Sequence, residues 1–87
     1  MKTEELIECL HLGHEIEFTI NNQLYFLEPD YESIEKFGKI FYKLYRCNKN
    51  ESKYLVNGTI EDILNYAFDG NNTLNNCCER FEECSVF

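Results

Sequence analysis

Apolar and polar residues alternate most regularly in "EIEFTI", where Ile16, Phe18 and Ile20 fall on one side and Glu15, Glu17 and Thr19 on the other. A two-residue period of this kind predicts a strand with one face in the core and one in water. The polar "NNQ" that follows reads as a turn, and "LYFLE" as a returning strand ended by Pro29, so the pair predicts a hairpin. "KIFYKLYRC" is denser in aromatic and branched residues, with Ile40, Tyr42 and Leu44 on one face and Phe41, Lys43 and Tyr45 on the other. After a turn at "NKNES", "KYLVN" supplies a fourth strand. Both connections are short, which predicts an antiparallel meander.

Helical spacing brackets these strands. Near the N-terminus Thr3 can act as a cap, Glu4 and Glu5 suit the positive end of a helix, and Leu6, Ile7 and Leu10 form its apolar stripe. Gly13 then provides a stop, since glycine enters the left-handed conformation without steric cost. Between the second and third strands, "DYESIEKFG" reads as a short helix or a structured loop, with Asp30 as cap, Ile34 and Phe37 inward, and Gly38 as terminator.

Towards the C-terminus Thr59 precedes Asp62 by three residues, close to a capping box. Ile60, Ile63, Leu64, Ala67 and Phe68 then recur at helical spacing until Asp69–Gly70 interrupts. Thr73 can cap a last helix whose stripe is Leu74, Cys77, Cys78 and Phe81. The expected fold is therefore α+β: a small antiparallel four-stranded meander sheet packed by an N-terminal helix and two C-terminal helices, forming a single domain over residues 1–87.

Composition narrows the function classes. A net charge of −8, from sixteen acidic and eight basic residues, argues against broad binding to a nucleic-acid backbone and favours solubility and attraction to basic surfaces. Nothing approaches the roughly 20 apolar residues that span a bilayer. "MKTEELIECLHLGHE" is polar and acidic where a signal peptide has a positive start and an apolar core. Five cysteines, an odd number without a C-x-x-C pair, fit reduced thiols better than a disulfide framework. A cytoplasmic location is expected.

Candidate chemistry changes this picture little. Cys9, His11 and His14 are the nearest approach to a metal cluster, but the two histidines straddle Gly13, so one helix cannot present both. Cys77 and Cys78 fall on an apolar stripe, where small hydrophobes belong. They and Cys84 are surrounded by Glu79, Glu82 and Glu83, with Arg80 the only cation, which disfavours a thiolate nucleophile. Glu61 and Asp62 occupy a first helical turn, where acids are expected for dipole reasons. No catalytic residue, metal or cofactor is expected.

Six of the eight basic residues lie between Lys36 and Lys53. Lys39, Phe41, Lys43 and Tyr45 alternate there as a basic and aromatic face, an alternative ligand-binding surface for single-stranded nucleic acid or a small ligand. Acidic residues dominate elsewhere. Glu15, Glu17, Glu28, Asp30, Glu32 and Glu35 near the first hairpin, with Glu79, Glu82 and Glu83 on the final helix, form the leading candidate surface, one suited to a basic protein partner. A homodimer through exposed aromatics such as Tyr25 or Tyr45 is a further option.

"GHEIEFTINNQLYFLEPDY", "YKLYRC" and "GTIEDILNYAFDGNNTL" together resemble a family of small uncharacterised α+β proteins from Gram-positive bacteria and their phages. That family carries a "G-x-E-I-E-F" hairpin, here Gly13 to Phe18, and closes with "S/T-I-E-E-L-L-x-x-x-x-D-G-x-x-L". The closing motif falls here on Thr59, Ile60, Glu61, Ile63, Leu64, Asp69 and Gly70, with Leu74 one position beyond the place of its last leucine. The resemblance implies an α+β fold and a phage or mobile-element context, and it carries no activity. "SIEKFGKIF" and "NNCCERFEEC" depart from the family's pattern.

Overall fold

A computed structural model describes all residues 1–87. Five strands form one antiparallel sheet: β1 (Ile16–Ile20), β2 (Gln23–Pro29), β3 (Phe41–Cys47), β4 (Ser52–Thr59) and β5 (Glu83–Val86), in the spatial order β4-β3-β2-β1-β5. The expected meander is present as β1 to β4. Its first turn uses Asn21 and Asn22 at φ of 52° and 62°, the left-handed pair that matches the twist of a tight hairpin. Four helices accompany the sheet: α1 (Thr3–His11), α2 (Tyr31–Phe37), α3 (Ile60–Asn65) and α4 (Leu74–Cys77), the last continuing into a 3-10 turn at Cys78–Arg80.

The fifth strand corrects the expected architecture. The stripe Leu74, Cys77, Cys78 and Phe81 does turn towards the core, but helix ends at the 3-10 turn and the chain extends along the free edge of β1. Two physical features explain this. Phe81 stacks on Phe18 at 4.2 Å between ring centroids, which turns the chain across the end of β1. The amides of Glu82 and Glu83 then donate to the backbone and hydroxyl oxygens of Thr19 at 2.9 and 3.0 Å. Bonds that a longer helix would have made internally are made to the sheet.

Alternation sorts the strands as expected. Ile16, Phe18, Ile20, Tyr25, Leu27, Tyr42 and Leu44 are buried under α1, α3 and α4, which contribute Leu6, Leu10, Ile63, Leu64, Leu74 and Cys77 to the same core. Tyr42 is wholly buried, and its hydroxyl donates to the carbonyls of Leu10 and His14 at 3.1 and 2.8 Å. It thereby ties β3 to the C-terminal end of α1, where the Leu10 carbonyl also accepts from the Gly13 amide. Every buried side-chain nitrogen and oxygen has a hydrogen-bond partner.

Caps fix the helix starts. Thr59 and Asp62 form a complete reciprocal capping box, and Thr73 pairs with Asn76 in the same way. The first box needs Gly58: a Cβ there would sit 2.6 Å from the Cβ of Asp62. Thr3 is not a cap. It is the first residue of α1, and Lys2 at the cap position makes no side-chain bond. α2 is a helix capped by Asp30 and closed by left-handed Gly38, but Phe37 is exposed rather than inward, and no residue of α2 is buried. α3 stops at Asn65, so buried Phe68 reaches the core from a loop and Ala67 is left exposed.

Phe18→Ala removes a ring that contacts three others, and is expected to destabilise the fold by about 3–5 kcal/mol. Thr59→Ala, which loses only one cap, is expected to cost about 1 kcal/mol. Urea unfolding followed by circular dichroism gives both values and their order.

Candidate functional site

One face of the sheet lies under helices and the other does not. On the open face the pairing registers align residues in rows across the strands. The central row runs Tyr54, Tyr45, Phe26, Glu17, Ser85. Its three rings are neighbours, Tyr45 lying 5.8 Å from Tyr54 and 6.5 Å from Phe26. A second row runs Ser52, Cys47, Leu24, Thr19, Glu83, and a third includes Asn57, Lys43 and Glu28. Aromatic residues therefore occupy the β4–β2 side of this face, together with Glu28, and Glu17 and Glu83 lie on the β1–β5 side.

Of the nine acidic candidates, Glu17, Glu28 and Glu83 sit on the open face, and Glu15 immediately precedes β1. Glu82 lies beside them, its carboxylate accepting from the Asn22 amide at 2.9 Å. With Thr19, Asn22 and Glu83 it lines an open recess of about 300 Å³ without an apolar side chain. Glu32 and Glu35 are exposed on α2, and Glu79 is exposed on the 3-10 turn. The expected helical array of Glu79, Glu82 and Glu83 is not formed, because Glu83 belongs to β5.

Asp30 does not join the exposed acids. It is 6 % exposed, and its carboxylate accepts from the Ser33 hydroxyl at 2.7 Å, from the Ser33 amide and from the Asn57 side chain. The Lys43 ammonium is 3.9 Å away. The Ser33 hydrogen bond, with help from Asn57 and Lys43, holds the carboxyl below its ordinary value of 3.8 against the opposing effect of desolvation. Asp30 joins β2, α2, β3 and β4, which makes it a structural residue rather than a docking one. The sequence pattern carries no signal for Asn57 and Ser33, since only the fold brings their polar groups to this carboxylate.

The basic and aromatic candidates are also drawn into internal contacts. Lys39 precedes β3, while Phe41, Lys43 and Tyr45 lie on the open face. Phe41 packs against Phe37 at 5.6 Å, Lys43 faces Asp30, and the Tyr45 hydroxyl donates to Glu28 at 3.1 Å. Tyr25, named as an interface aromatic, is a core residue only 1 % exposed and stacks on Phe18. The exposed ring in this region is Tyr54, which the sequence pattern did not single out.

Cys9, His11 and His14 are not brought together. Cys9 packs against the core, and His14 Nδ1 lies 2.8 Å from the Phe87 carbonyl. His11 lines a separate recess of about 340 Å³ with Lys39, Ile40, Thr59, Ile60 and Glu61. No group of three or more His, Cys, Asp or Glu residues is placed to hold a metal ion. Cys77 and Cys78 are buried, and desolvation pushes the Cys77 thiol up to about 11. Desolvation also raises Cys84 on β5, although that residue is exposed.

These features define a class by architecture: a small α+β domain with a one-sided antiparallel sheet, an acidic edge and an aromatic open face. No family model, curated protein or solved structure matches the chain. No helix is long and apolar enough to cross a membrane.

Because the folded-state pKa of Asp30 is depressed, its contribution to stability is complete above the unfolded carboxyl's pKa and is lost as pH falls through the folded one. Asp30→Asn should lower the urea midpoint at pH 7. It should also flatten the decline in stability below about pH 4 that the parent shows. An unchanged acid limb in the variant would remove Asp30 from this role.

Proposed function

We propose that the protein is a non-enzymatic interaction module whose acidic β1–β5 side captures a basic partner protein. The observation that carries this reading is charge segregation by the fold. β1 and β5 contain no Lys or Arg, and with the adjoining turns they gather Glu15, Glu17, Glu82 and Glu83 at one side of the sheet. Lys43, Arg46 and Lys53 lie on β3 and β4 at the other side, and Lys49 joins those two strands. A surface of one sign steers a partner of the opposite sign and raises the rate of encounter. The phage or mobile-element context implied by the sequence resemblance would suit an inhibitor that occupies a basic, nucleic-acid-handling groove on a host protein. A cytoplasmic setting accords with the unpaired cysteines.

Direct binding of single-stranded nucleic acid is the second reading, and the row of Phe26, Tyr45 and Tyr54 is the observation that favours it. Charge weighs against it. The only lysine on that face is held by Asp30, and Glu28 accepts the Tyr45 hydroxyl at the centre of the row.

Capture from a nuclease-treated host lysate by the tagged protein separates the two. The expected result is recovery of a basic protein at low salt, lost at high salt. Recovery should be abolished by the combined change Glu17→Gln, Glu82→Gln and Glu83→Gln, and retained by Glu32→Gln with Glu35→Gln. Capture that survives the triple change sinks the acidic-side reading. Nucleic acid recovered without nuclease and lost on Tyr54→Ala would support the second reading instead.

A further inference from the structure

The two edges of the sheet are built differently. β4 carries Lys53 and a register shift opposite Leu44 and Tyr45, both devices that discourage another strand from pairing there. β5 has neither: its four residues pair with β1 in continuous register, and it contains no lysine, no proline and no bulge. The Phe87 amide donates to the Glu15 carbonyl, and Ser85 pairs with Glu17. By the alternation of an antiparallel ladder, the backbone N–H and C=O groups of Cys84 and Val86 point away from the sheet, with no strand to receive them.

The surroundings of that edge specify what would fit. Glu83 projects from it on the open face, Glu17 follows on the neighbouring strand, and the Thr19, Asn22, Glu82, Glu83 recess lies at its start. That recess, polar and acidic, matches the head of a lysine or arginine side chain. At the other end Val86 and Phe87 are 42 % and 64 % exposed, leaving apolar surface beside the backbone groups. We infer that β5 is the docking edge for an extended, lysine- or arginine-bearing segment of a partner protein, which adds to the sheet as a sixth strand. Backbone hydrogen bonds to Cys84 and Val86 supply register-dependent affinity, and the carboxylates select basic side chains. This rests on the acidic-partner reading and gives it a binding mode.

The probe is an end-capped synthetic peptide of alternating lysine and valine, with a glutamate–valine peptide as control, followed by amide NMR of the full chain at low salt. The lysine peptide should shift the Cys84 and Val86 amides and slow their hydrogen exchange at least several-fold; the glutamate peptide should do neither. Val86→Pro deletes an outward N–H without touching a bond to β1, and should abolish these effects. N-methylation of alternate peptide amides should do the same with the protein unaltered, so the conclusion does not depend on how the variant folds. Glu82→Gln with Glu83→Gln should weaken binding about tenfold. Binding that survives N-methylation in both alternate registers, with shifts confined to the backbone amides of Glu17, Glu82 and Glu83, overturns strand addition and leaves the acidic-partner reading standing. Absence of binding by the lysine peptide overturns strand addition, the acidic-partner reading being decided separately by the lysate capture, and equal binding of the glutamate peptide overturns the charge selection.

Discussion

The ring of Phe18 is the contact on which most of the structure depends. It stacks on Tyr25 at 5.3 Å and on Phe81 at 4.2 Å, and meets Phe68 edge-on at 5.8 Å. Those partners come from β2, from the segment that leads into β5, and from the loop between α3 and α4. One side chain on β1 therefore joins the first hairpin, the helical layer and the last strand. Aromatic pairs in such geometries contribute about 0.5–1.5 kcal/mol each beyond the area they bury. In a chain of this size, which hides only about 60–65 % of its unfolded surface, that is a large share of the net stability.

The same cluster determines where charge is displayed. By drawing Phe81 under β1, it delivers Glu82 and Glu83 to the side of the sheet that already holds Glu15 and Glu17. Like charges gathered this way repel one another, and little on that side neutralises them. On the opposite side the Asp30 carboxylate is held by hydrogen bonds from Ser33 and Asn57, with Lys43 nearby, and joins strands to α2. Acidic residues that look equivalent along the chain thus divide into a buried tie and an exposed array, according to which hydrogen-bond donors the fold brings near.

Much of this was legible in the sequence because it is local. The alternation at Ile16, Phe18 and Ile20, the hairpin at Asn21–Asn22 and the cap at Thr59 each depend on residues a few positions apart, and the structure carries all three. Thr3 is of a residue type that suits a cap, yet Lys2 occupies that position. The helical spacing through Phe81 misled for a different reason. Leu74, Cys77 and Cys78 do face the core at helical intervals, but tertiary bonds to Thr19 outcompete further helix. β5 itself, "ECSV", has no amphipathic signal, and only its pairing with β1 makes it a strand. The acidic candidates were visible as a composition, whereas their division into Asp30 and the rest required Asn57 and Ser33 to arrive from elsewhere in the fold.

Residues 83–86 form a strand on β1 and carry acidic side chains to that edge. Backbone hydrogen exchange by NMR, with Hα–Hα contacts across the pairing, tests this most directly. The pairing predicts slow exchange at Ser85 and Phe87, fast exchange at Cys84 and Val86, and a contact between the α-protons of Phe18 and Cys84. Sequential amide contacts of helical type through Glu82 and Glu83, without any cross-strand contact to β1, would contradict it.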